Sequence, residues 1–112
     1  MKLFITDDPM DSLSGVILRP ADLGCNLSQC VIASQRWEAC YIDITEDIPD
    51  GRVRYLGEQC DVIFPAVPSK PSMHQMHILC DIFPKLSGTI RKAFMQKRDM
   101  HEVLPNVWDK EA

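Results

Sequence analysis

At 112 residues the chain fits a single domain, and a domain of that size buries roughly two-thirds of the surface its unfolded form exposes. With 46% apolar and 25% charged residues it can fill an ordinary core, which excludes wholesale disorder and a fold dependent on disulfide or metal staples. A net charge of −4 opposes general nucleic-acid binding, because phosphate contacts need concentrated positive charge.

That charge is unevenly spread. Acids dominate residues 1–61, whereas the stretch from Lys85 to Arg98 carries Lys85, Arg91, Lys92, Lys97 and Arg98 and no acid. The five cysteines, Cys25, Cys30, Cys40, Cys60 and Cys80, leave one over under any complete pairing. None forms a Cys-x-x-Cys pair, so zinc-ribbon and dithiol redox spacings are absent. The opening "MKLFITDD" meets acid early, and the longest uncharged stretch, Leu23 to Gln35, is polar and too short to span a bilayer. These features point to a cytoplasmic protein with reduced, mostly buried thiols.

In chain order, "KLFIT" reads as a strand and "SGVILRP" as a second, ended by Pro20; the two suit an opening hairpin. Asn26 and Gln29 have capping-box spacing, which favours a short helix from Leu27, whereas "CVIA" reads equally as a buried strand. "ACYIDIT" alternates, with Tyr41 and Asp43 on one side and Ile42 and Ile44 on the other. "IPDG" follows as a turn and "RVRYLG" alternates again, so this section predicts a β-hairpin with one wet face. "CDVIFPAV" is a more buried strand.

The proline-rich segment 65–71 divides a β-rich front, 1–67, from a helical back, 72–104. Ser72 and Gln75 have capping-box spacing after Pro71, and Pro84 ends or kinks the first back helix. "TIRKAFMQKRDMHEVL" predicts a second helix, with Trp108 in a tail that docks on the body. The expected fold is one α+β domain over 1–112: a small, mainly antiparallel β-sheet with a C-terminal helix pair packed on one face.

"SMHQMHILCDIF" looks most like chemistry. At about 100° per residue, Met76, Leu79, Cys80 and Phe83 share an apolar face, and His74, His77 and Asp81 share an outer one. A metal needs ligands converging from several directions, and His101 on the last helix projects from the wrong face to complete such a set. The row His77, Cys80, Asp81 resembles a thiol–base–acid array. It lies on one helix, however, without an oxyanion loop to set the attack geometry. A hydrated outer face is the stronger reading, and no cofactor is expected.

The acids Asp43, Glu46, Asp47 and Asp50 lie on and beside the predicted hairpin tip; their spacing fails the calcium-loop pattern. Clustered acids of this kind steer and orient a basic partner. The expected function is a non-catalytic protein-binding domain, for instance an inhibitor or immunity-type protein, using these acids and Trp37 to meet a basic surface. A homodimer is compatible with this. Two alternatives stay open: a small metal-dependent or cysteine/histidine enzyme on the 74–81 helix, and polyanion contact through Arg91, Lys92 and Arg98.

Overall fold

The computed structural model describes residues 1–8 and 15–104; the predicted docking of Trp108 lies outside the described residues. Among the described residues four strands form one sheet: β1 (Lys2–Ile5), β2 (Gly15–Leu18), β3 (Ala39–Asp43) and β4 (Ile63–Ala66). Their spatial order is β2-β1-β3-β4, and every neighbouring pair is parallel. The expected antiparallel sheet is therefore wrong, as is the opening hairpin: β1 and β2 are neighbours that run the same way.

The reason lies in the burial of both sheet faces. Leu3 and Ile5 on β1 and Cys40 and Ile42 on β3 enter the main core with the helices. Phe4, Ala39 and Tyr41 form a separate buried cluster on the opposite face, with Phe64 packed against it. Strands buried on both sides read as continuous apolar runs, the pattern of parallel sheets, and "LFI" of β1 and "ACYI" of β3 are such runs. Register aligns Phe4 with Tyr41 and Tyr41 with Phe64. Their rings stack in a row, with centroids 5.0 and 4.9 Å apart. Pro65 sits in β4, at the sheet edge, where a missing N–H breaks no ladder.

The helices also differ from expectation, because they are several and not confined to a C-terminal pair. The front contributes α1 (Asn26–Ala33) and α2 (Leu56–Gln59); the back contributes α3 (Met73–Ile82) and α4 (Ser87–Met95). Short 3₁₀ turns cover Pro20–Gly24, Pro84–Leu86 and Met100–Glu102. The steps from β2 to β3 and from β3 to β4 run in the same direction across the sheet, so crossovers of one hand place α1 and α2 on the same face. Ile32 of α1, Leu56 of α2, Ile78 and Leu79 of α3 and Ile90 of α4 all join the one main core.

The second strand of the predicted middle hairpin does not exist. Residues 52–55 are turn, leading into α2. Alternation suggested that Val53 and Tyr55 share a face, but Tyr55 is 60% exposed while Val53 and Leu56 are fully buried. The buried pair has three-residue spacing, which is helical, and backbone bonds from Leu56 to Val53 and from Glu58 to Tyr55 wind the chain accordingly.

Two sequence signals are realised in full. Ser72 caps α3: its hydroxyl accepts from the Gln75 amide at 3.1 Å, and the Gln75 side chain accepts from the Ser72 amide at 2.9 Å. Pro84 follows the end of α3, as its ring requires. By contrast, α4 stops at Met95, well short of the predicted Leu104. Lys97 adopts φ 57°, and the amides of Lys97 and Arg98 turn back onto the carbonyls of Phe94 and Ala93. That is a Schellman ending with lysine in the left-handed position usually held by glycine.

Candidate functional site

Strand order reverses between β1 and β3, since the chain leaves β1 toward one edge and β3 toward the other. Open parallel sheets place ligands outside the carboxyl ends of the strands flanking such a point. Here those ends carry Thr6, Asp7 and Asp8 after β1, and Asp43 closing β3.

Thr6 is buried and organises this edge. Its amide donates to the Leu18 carbonyl, extending the β1–β2 ladder by one residue. The Thr6 hydroxyl donates to the Asp43 carboxylate at 2.5 Å and accepts from the Asp8 amide at 3.1 Å. Burial pushes the Asp43 carboxyl above its ordinary value; the Thr6 hydrogen bond opposes this, and the nearby charges of Asp8 and Asp7 add to it. Asp7 is paired with Arg19 at 3.2 Å. The edge is thus acidic, with one carboxyl held partly out of water.

The loop after β3 continues the acidic surface. Glu46 and Asp47 are exposed, and among the described residues their side chains take no partner. Asp50 is exposed and lies 3.3 Å from Nδ1 of His74. Nε2 of the same ring lies 2.6 Å from the Ile48 carbonyl. With both ring nitrogens facing oxygen, the ring bridges the Ile48 carbonyl and the Asp50 carboxylate and so ties the acidic loop to α3. His74 is therefore an anchor for the loop, not a hydrated ornament. Sequence periodicity placed it correctly on the outer face of α3, but could not show that residues 48–50 lie against that face.

The other predicted residues fall as follows. Trp37 is fully buried, and its indole N–H donates to the Ile32 carbonyl at 2.9 Å, so it has no surface to offer a partner. His77 is exposed and Asp81 half-buried, and among the described residues no group of three His, Cys, Asp or Glu is placed to hold a metal ion. Cys80 is buried; its sulfur faces the Met76 sulfur at 3.7 Å and the Ser87 carbonyl at 3.9 Å. Burial pushes the Cys80 thiol up, against the pull of Arg91, which disfavours the thiolate that the His77–Cys80–Asp81 row would need.

His101 lies beyond α4, in the 3₁₀ turn. Its Nε2 is 2.5 Å from the Val67 carbonyl and its Nδ1 is 3.7 Å from Asp99. Arg91 and Lys92 are exposed on α4, and Arg98 lies past its end. Sequence reasoning missed Thr6, Asp7 and Asp8, although two aspartates directly after a buried strand are the available signal for a strand-end site in a parallel sheet. No helix among the described residues is long and apolar enough to cross a membrane. Comparisons with protein families, with curated proteins and with solved structures find no match to this chain.

Proposed function

We propose that this protein is a non-catalytic binding domain that receives a basic protein surface on the acidic edge at the ends of β1 and β3. The observation that carries the reading is that Asp7 and Asp8 lie close enough to Asp43 to raise its pKa, while the loop that follows Asp43 exposes Glu46, Asp47 and Asp50, the last held by His74. Clustered acids speed encounter with a cationic partner and select its orientation. An inhibitor or immunity-type protein masking a basic enzyme is one concrete form. The five free thiols fit a reducing, cytoplasmic setting.

The test is capture from host extract with the wild-type chain and with the double variant Glu46→Lys, Asp47→Lys. Those two side chains hold nothing inside the protein, so the variant keeps the fold, as circular dichroism verifies. Recovery of a basic protein by the wild type and its loss in the variant support the reading. Undiminished capture by the variant removes this edge as the contact surface.

One observation favours a second reading. Asp43, with its raised pKa and Thr6 partner, occupies the place where parallel sheets bind small ligands, and perturbed carboxyls mark such sites. Under this reading the domain takes a small polar ligand at Asp43. Thermal shift by small cationic and polar compounds, abolished in Asp43→Asn, tests it.

A further inference from the structure

A groove of about 480 Å³ lies at the end of α4, lined by Lys70, Pro71, Phe94, Met95, Lys97 and Arg98. It shares no residue with the acidic edge. Its apolar lining is Pro71, Phe94 and Met95, the last 78% exposed, and exposed Lys70, Lys97 and Arg98 make the rest of it cationic. No acid lines it. Among the described residues, neither Lys97 nor Arg98 has a carboxylate partner for its side chain.

The walls are held in place. The Lys70 amine donates to the Lys97 carbonyl at 2.5 Å, and the Met100 amide donates to the Ser69 carbonyl at 2.9 Å. These bonds tie the proline-containing connector to the turn after α4, so the groove needs no ordering when filled. Lys97 sits in the left-handed region at φ 57°, a position where glycine costs nothing and a lysine costs stability. A strained residue that persists invites a role for its side chain, and Lys97 is one of the residues lining this groove.

We infer that this groove is a docking site for an acidic peptide segment carrying an apolar side chain. Charge complementarity sets the class: carboxylates meet Lys70, Lys97 and Arg98 while an aliphatic or aromatic side chain covers Phe94, Met95 and Pro71. A nucleic acid fits less well. The groove has the volume of a small-ligand cleft, and Arg91, whose charge reaches the Cys80 thiol toward α3, is not in its lining. Phosphate tracking needs a continuous cationic strip.

The test measures fluorescence anisotropy of a short labelled peptide of alternating Glu and Leu with the full chain. Peptides of Gln and Leu, peptides of Glu and Ser, and labelled oligo-deoxythymidine serve as comparisons. The Glu–Leu peptide is expected to bind most tightly and to weaken with salt. Lys97→Gly keeps the backbone geometry and relieves its strain, so it should raise Tm while weakening peptide binding about two- to fivefold, the effect of one exposed ion pair. Arg98→Gln should weaken binding similarly. The inference is overturned by absent binding, by equal binding of the Glu–Ser peptide, by tighter binding of the oligonucleotide, or by unchanged affinity in Lys97→Gly. Self-association of the wild type that Lys97→Gly abolishes would assign the groove to a second copy's acidic loop, and equally overturn it.

Discussion

The hydroxyl of Thr6 donates to the carboxylate of Asp43 across 2.5 Å, joining the end of β1 to the end of β3 where the strand order reverses. Thr6 also accepts from the Asp8 amide. One buried hydroxyl thus sets the spacing of the acidic edge. Thr6→Val keeps the shape and removes both bonds, leaving Asp43 and the Asp8 amide short of a partner. It should cost about 1–2 kcal/mol, read as a lower midpoint in urea unfolding at unchanged slope.

Asp43 gives the edge a pH signature. Its folded pKa is raised above the ordinary value of 3.8, chiefly by burial, so the folded state holds its proton more tightly than the unfolded state does. Stability from this group is then lost as pH rises from the unfolded pKa through the folded one. In Asp43→Asn that loss disappears, while the amide oxygen still accepts from Thr6. Denaturant titrations should show the variant gaining stability relative to wild type as pH rises above about 4, with the difference fading below it.

His74 makes a prediction about the neighbouring loop. Replacing it by leucine frees the Ile48 carbonyl and Asp50 from their ring contacts. The loss should be about 1–2 kcal/mol. Amide hydrogen exchange should quicken between Asp47 and Gly51 while the strands keep their protection. Exchange that rises equally across the sheet would mean that His74 supports the whole core instead of the loop.

Gly15 tests the packing of β2 against β1. A Cβ there would strike the Lys2 carbonyl oxygen and approach the Phe4 ring to 2.7 Å. Because the Lys2 oxygen is backbone, the strand itself must shift. Gly15→Ala should destabilise by about 1–3 kcal/mol in thermal or chemical unfolding.

Strand positions were legible because β1, β2, β3 and β4 are each marked by local apolar runs and breakers. Strand direction was not, because alternation in "ACYIDIT" looks the same whether Tyr41 faces water or stacks between Phe4 and Phe64. The turn "IPDG" fits a hairpin, yet Val53 and Leu56 use helical spacing to bury the following segment. The end of α4 escaped notice because its left-handed residue is Lys97, and no glycine announces the stop. The acids of the 43–50 segment were visible in the sequence, whereas their continuity with Thr6 and Asp8 depends on the parallel pairing of β1 with β3. His74 was visible as a histidine but not as a clamp, since its partners lie far back in the chain.

Hydrogen exchange of the captured complex, compared with the free chain, probes the acidic edge most directly. Slowed exchange across residues 43–50, and at the amides of Asp7 and Asp8, is the expected result, with little change along α3 and α4. A complex that leaves those amides as open as before, and protects another surface, would contradict the account.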